Sequence, residues 1–288
     1  MSEHNGGCLC GDLRYKVMGT PEIGAVCHCR YCQLRTGSAF GTLAYFKDEN
    51  FKITAGKIKE YTFTSESGTQ WETFFCDTCA ATFFIKLEVR QGLTGVTAGT
   101  LDPPTFWFEL DREAFMRSKA TFVGDIIAKE THETIAYYAP KIDEPRRRKG
   151  GKMTHIGKCY CGDIRFKFED PIQSQLLCHC RECRYLSGGE ANASIVILEE
   201  TFRVTKGELK TFSRRDLDSP RIRYFCGNCG THICVKSPPR PGMLVLKIGT
   251  LDDHSWFSPK AAIFCIDQQP YHIIPTDVPS FEKTPPPK

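Results

Sequence analysis

A chain of 288 residues is long enough for two domains of about 140 residues, each with its own core. Its 41% hydrophobic and 25% charged residues are those of an ordinary soluble globular protein; no apolar run reaches the ~18 residues of a membrane span, and Met1 to Gly7 lacks a signal peptide's apolar stretch, so a cytoplasmic chain is expected. A net charge of +4, from 38 basic and 34 acidic residues, gives no general electrostatic case for nucleic-acid binding.

In chain order, Cys8 and Cys10 come first, followed by Gly11-Asp12-Leu13-Arg14-Tyr15. Alternation with β-branched and aromatic residues predicts strands over Leu13 to Val17, Ile58 to Phe63 and Thr82 to Leu87. Thr54-Ala55-Gly56-Lys57 reads as a turn. Between these lie Cys27-His28-Cys29-Arg30-Tyr31-Cys32, the pair Cys76-Asp77-Thr78-Cys79, and Gly99-Thr100-Leu101-Asp102. A partial apolar stripe of Ile127, Ile135 and Tyr138 predicts a helix over Gly124 to Ala139. A basic run, Arg146 to Lys152, follows and reads as a solvated linker, with a nuclear address or phosphate-binding arm as the alternative.

The second half repeats the first. Cys159, Cys161, Cys178, Cys180, Cys183, Cys226 and Cys229 restate the seven earlier cysteines at a displacement of 151, then 150. Gly162-Asp163-Ile164-Arg165-Phe166 and Gly249-Thr250-Leu251-Asp252 keep the same offsets. Strands are predicted over Ile164 to Phe168, Ile195 to Leu198 and Met243 to Ile248, with a turn at Thr205-Lys206-Gly207-Glu208. Lys119-Ala120-Thr121-Phe122 aligns with Lys260 to Phe264 at an offset near 142, which implies an insertion of about eight residues in the Thr105 to Met116 segment. The domains therefore read as 1–149 and 150–288, mainly β, with a loose proline-rich tail from Lys283 to Lys288.

Seven cysteines per copy is an odd number, and a reducing compartment disfavours disulfides, so the pattern points to metal. The C-x-x-C pairs Cys76/Cys79 and Cys226/Cys229 each supply half of a tetrahedral site, which Cys8/Cys10 and Cys159/Cys161 complete. A four-thiolate zinc is saturated and structural. Cys27, Cys29 and Cys32, like Cys178, Cys180 and Cys183, grip an ion with three sulfurs and leave its fourth position to water or substrate, as a catalytic zinc requires. The alternative is that His28 or His179 closes the site. In extended chain, however, a residue between two inward-facing neighbours turns away. Arg30, Arg35, Arg181 and Arg184 flank the triads as candidate partners for substrate carboxylates. Cys234 and Cys265 have no counterparts and read as small core residues.

The order Cys-Leu-Cys-Gly-Asp, Cys-His-Cys-Arg-Tyr-Cys, Thr36-Gly37-Ser38-Ala39-Phe40, Phe75-Cys76-Asp77-Thr78-Cys79 and Gly99-Thr100-Leu101-Asp102 resembles the glutathione-dependent formaldehyde-activating enzyme and centromere protein V family, over both halves. The resemblance implies two tandem zinc-bound "β-tent" domains with about four zinc ions per chain. It places a structural zinc on Cys8, Cys10, Cys76 and Cys79 and on Cys159, Cys161, Cys226 and Cys229. A catalytic zinc falls on Cys27, Cys29 and Cys32 and on Cys178, Cys180 and Cys183. The implied activity is that of a carbon–sulfur lyase joining glutathione, or another small thiol, to formaldehyde or another aldehyde; the alternative is a non-catalytic binding module of the centromere protein V type. Two departures stand out. Ala80-Ala81 replaces the glycine-threonine kept at Gly230-Thr231, which strains the turn if it needs a positive φ, and Leu186-Ser187-Gly188-Gly189-Glu190 replaces the familiar Gly-Ser-Ala-Phe run.

Overall fold

The computed structural model describes residues 2–65, 67–135 and 154–285. The basic run and the expected boundary at 149/150 lie outside the described residues. The first half comprises β1 (Glu3–Gly7), β2 (Arg14–Met18), β3 (Ile23–Cys27), α1 (Arg30–Thr36), β4 (Gly41–Lys47), β5 (Phe51–Ala55), β6 (Ile58–Thr64), β7 (Gln70–Cys76), β8 (Thr82–Leu87), β9 (Leu93–Thr97), β10 (Arg112–Ala114) and β11 (Glu130–His132). The second comprises β12 (Thr154–Lys158), β13 (Arg165–Glu169), β14 (Ile172–Cys178), α2 (Arg181–Leu186), β15 (Asn192–Leu198), β16 (Arg203–Lys206), β17 (Leu209–Phe212), β18 (Ile222–Cys226), β19 (His232–Lys236), β20 (Met243–Lys247) and β21 (Ala261–Ile263). No helix among the described residues is long and apolar enough to cross a membrane.

Each half holds a small and a large sheet. The small ones run β1-β2-β5 and β12-β13-β16; the large ones run β11-β10-β3-β4-β9-β8-β7-β6 and β21-β14-β15-β20-β19-β18-β17, the second matching the first from β10 onward, with β11 extra in the first. Strands form where period-two patterning gives one buried face: in β13, Phe166 and Phe168 turn inward while Arg165, Lys167 and Glu169 stay exposed. The two halves share one continuous core.

Two expectations are corrected. The stretch 124–129 is irregular, and Glu130–His132 forms β11, parallel to β10; Ile127 is 91% exposed while Ile135 packs against the core, so the two share no helical face, and residues 136–139 lie outside the described residues. The eight-residue insertion is absent: β10 pairs with β3 as β21 pairs with β14, setting Arg112 against Ala261 in register, an offset of 149. Phe115 and Phe264, both left-handed at φ 63 and 55, follow in equivalent places. Short Ala-Phe matches in sequence misaligned a segment whose parallel pairing no local pattern reveals.

The seam between halves is reciprocal. The C-terminal end of α1 packs on the turn 248–250, and α2 on the turn 98–100. A Cβ on Gly249 would lie 2.4 Å from Ser38 O, and one on Gly99 2.1 Å from Arg184 O, which explains the glycine of the repeated Gly-Thr-Leu-Asp motif. At the centre, Ala39 and Phe40 donate backbone N–H to Glu190 Oε2 at 2.8 and 3.1 Å.

Candidate metal centres and active site

Four groups of sulfurs converge. Cys8, Cys10, Cys76 and Cys79 form one and Cys159, Cys161, Cys226 and Cys229 another; Cys27, Cys29 and Cys32, and Cys178, Cys180 and Cys183, form the triads, all sulfurs within 4.8 Å of one another in each group. In the four-sulfur groups the neighbouring contacts are 3.2 and 3.6 Å (Cys8–Cys10, Cys10–Cys76) and 3.4 and 3.7 Å (Cys159–Cys161, Cys161–Cys226). A tetrahedron with metal–sulfur bonds of ~2.3 Å needs sulfurs about 3.8 Å apart, so the donor set and its spacing fit zinc. Leu13 and Ile164 each donate a backbone N–H to the first sulfur of their site, at 3.3 and 3.2 Å, which favours the thiolate.

The triads arise where a strand runs into a helix. Cys27 ends β3, pairing with Gly41 and Ala114; Cys29 caps α1, its sulfur accepting from Cys32 N at 3.4 Å; Cys32 lies one turn on. The same path places Cys178, Cys180 and Cys183. Contacts with Cys27 and Cys29 hold Cys32 well below the ordinary thiol range, with Arg35 adding to the effect, its Nη2 4.0 Å from the sulfur.

Both histidines turn away. His28 is fully buried, and its Nε2 donates to Glu113 Oε1 at 2.9 Å. Burial pushes the Glu113 carboxyl up, but hydrogen bonds from His28 and Lys119, whose Nζ is 3.0 Å away, outweigh it and hold it below the usual range. The second half has Ala262 at that register and uses another partner: His179 Nδ1 lies 3.0 Å from His272 Nδ1. His272 Nε2 donates to Gly189 O at 2.8 Å, leaving its Nδ1 to accept from His179. Burial keeps both rings neutral, pulling them to about 4 and about 3.

The flanking arginines divide. Arg30 donates to Gly249 O and Leu251 O at 3.0 and 2.6 Å, Arg184 to Thr105 Oγ1 at 3.1 Å, and Arg181 lies 3.6 Å from Asp102, so these three stitch the halves together. Only Arg35 faces a sulfur. Sequence reasoning missed the sheet face beneath each triad, which only strand register reveals. In the first half it carries Leu43, Tyr45, Trp71 and Ile85. In the second, Ser194, Val196, Lys247 and Arg223 occupy it, with Lys247 Nζ 2.6 Å from Asn192 Oδ1 and Arg223 paired with Glu182. Burial pulls Lys247 down to about 8, which leaves it protonated at neutral pH. Cys234 is a buried core residue and Cys265 a half-buried one; burial pushes both thiols up, Cys234 to about 12.

The profile of a family described as "Glutathione-dependent formaldehyde-activating enzyme" matches residues 3–118 and again 154–267. Over 93 residues the chain is 29% identical to a Halomonas elongata protein described as "Putative glutathione-dependent formaldehyde-activating enzyme"; the match spans 31% of this chain and 59% of that relative's length. A solved Rhodobacter sphaeroides protein is 20% identical over 33% of this chain and 86% of its own, with a TM-score of 0.28. With the family profile covering most of both halves, the chain belongs to the glutathione-dependent formaldehyde-activating enzyme family.

Proposed function

We propose that the chain is a zinc-dependent carbon–sulfur lyase that makes and breaks the bond between a thiol, glutathione foremost, and the carbonyl carbon of an aldehyde such as formaldehyde. The supporting observation is the contrast within each half, where four sulfurs converge at one place and three at another while the histidine beside each triad is engaged elsewhere. On this reading Cys8, Cys10, Cys76 and Cys79, with Cys159, Cys161, Cys226 and Cys229, hold structural zinc. Cys27, Cys29 and Cys32, with Cys178, Cys180 and Cys183, hold catalytic zinc. Bound there, zinc supplies Lewis acidity that favours the thiolate form of a thiol near neutral pH.

The chain's own residues position the triads. The His28–Glu113 and His179–His272 pairs fix the strand-to-helix junctions that carry the triads. Arg35 offsets negative charge beside Cys32. In the joining direction, thiol sulfur bonds to the carbonyl carbon, the C=O π pair moves to oxygen, and the thiol proton ends on that oxygen. Nothing is oxidised or reduced, and the reverse is the lyase step. Thiol addition to formaldehyde has a low intrinsic barrier, so confining both partners supplies most of the acceleration.

Exchange spectroscopy with ¹³C-formaldehyde and glutathione tests this on the zinc-loaded chain. Adduct formation faster than in buffer, slowed by Cys→Ser substitution in a triad, is expected; a rate equal to buffer would overturn the reading.

A further inference from the structure

The two triads sit on equivalent sheet faces whose chemistry has diverged. Register pairs Leu43 with Thr97 in the first half and Ser194 with Lys247 in the second, and Thr73 with Ile85 against Arg223 with Val235. Each position is therefore matched one to one. Leu43 has become Ser194, Thr97 Lys247 and Thr73 Arg223, while Tyr31, on α1, answers to Glu182 on α2.

The first triad is walled by rings. Tyr31 lies 5.2 Å from Phe63 and 5.4 Å from Trp71, and Tyr160, reaching over from the second half, lies 4.9 Å from Phe63. Cys29 and Cys32 are 2% and 1% exposed. Of the cations nearby, Arg35 is committed to Cys32 and Arg90 lies over the Tyr45 ring, 4.7 Å from its centroid. A carboxylate lodged among these rings loses its water without gaining donors.

The second triad is more open, all three cysteines being partly exposed. Lys247 is 3% exposed and its hydrogen bond is to the neutral Asn192 amide. Arg223, 4% exposed, shares Glu182 with Arg214. Asn192, which holds Lys247, stands opposite Cys178 in the β14–β15 register, and Glu182, which holds Arg223, precedes Cys183 on α2, so both cations lie beside the cluster. Arg214 also pairs with Asp216, so Glu182 and Asp216 balance the two arginines, and the Lys247 ammonium, held by a neutral amide, is the charge left over. Desolvated ammonium and guanidinium groups at that place suit a ligand carrying carboxylates.

We infer that the second triad, and not the first, is the anionic-thiol site of this chain, with Lys247 and Arg223 as its carboxylate-binding residues. This rests on the reading that the triads dock a thiol, and it assigns the glutathione-dependent step to one half.

Calorimetric titration of the zinc-loaded full chain tests it, with glutathione and its diethyl ester as probes. One glutathione per chain is expected, bound about tenfold or more tighter than the ester. Lys247→Met and Arg223→Met should each remove about tenfold of that affinity, Lys247→Arg should restore most of it, and Arg35→Met should leave it in place. Two equivalent glutathione sites, equal affinity for the ester, or loss on Arg35→Met but not on Lys247→Met would overturn the inference. The ester comparison needs no variant to fold. Charge-dependent glutathione binding at the second triad without accelerated adduct formation would sink the lyase reading and leave this inference standing. Acceleration abolished by Cys32→Ser but kept in Cys183→Ser would do the reverse.

Discussion

Glu190→Gln is expected to stabilise the chain above neutral pH and to change little near pH 5. Glu190 sits at the centre of the seam, 4% exposed, where two backbone N–H donors favour its ionised form. Burial outweighs them and pushes the carboxyl from 4.5 to about 8. The folded value lies above the unfolded one, so the stability that the protonated group permits is fully present below about pH 4. It is lost progressively as the pH rises toward 8, because the unfolded chain gives up its proton first. At about 1.4 kcal/mol per pH unit, the penalty at pH 8 is on the order of 4 kcal/mol. Glutamine keeps an oxygen for both donors and carries no charge to bury. Differential scanning calorimetry of the zinc-loaded proteins from pH 5 to pH 8.5 reads the difference, and the pH dependence of the thiolates cancels because both proteins share it. The curves should converge near pH 5 and separate by roughly 5–10 °C at pH 8. Parallel curves, or a less stable glutamine variant at pH 8, would refute the reasoning.

Gly230 has φ 72, and a Cβ there would meet the Phe75 ring at 2.9 Å, so Gly230→Ala should cost about 2–3 kcal/mol and hasten zinc loss to a chelator, read as a lower Tm and a faster release trace. At the equivalent turn Ala80 already bears φ 55, and Ala80→Gly should be neutral or stabilising by up to about 1 kcal/mol in the same assay. Removing the carboxylate in Glu113→Ala strands the His28 N–H and leaves the Lys119 ammonium only Asp125, 3.9 Å away, at a cost of about 3 kcal/mol read by denaturant unfolding; His272→Ala, which breaks a neutral pair, should cost about half that. Metal analysis should find about four zinc ions per chain, two of them leaving first under mild chelation; equal retention of all four would argue for a fourth protein ligand at each triad.

The sulfur groupings were legible because cysteines at fixed, repeated spacing constrain one another whatever lies between them. Strand cores such as Ile164 to Phe168 were legible from alternation. The left-handed turn at Ala80 was foreshadowed by the glycine its counterpart retains. What stayed hidden depends on register across long separations. Arg223 and Lys247 lie 24 residues apart and join Cys178 only because β18, β19, β20, β15 and β14 are neighbours in one sheet. His272 as partner of His179, and Glu113 as partner of His28, were equally invisible, since parallel pairing of β3 with β10 leaves no mark in local composition. The arginines next to the triads looked like ligand contacts because sequence adjacency says nothing of the other half's turns at Gly249 and Thr105.

Ala39 and Glu190 hold the same place in their respective copies and touch each other. In an assembly of two identical chains, whatever stands at such a place must face itself, so an acid there would confront a second acid across the axis. Joining both copies in one polypeptide lifts that constraint: one side keeps the small residue and bare amides, the other grows the carboxylate that fills them. The same freedom extends outward from the axis, letting one triad harden behind aromatic rings while its twin gathers charge.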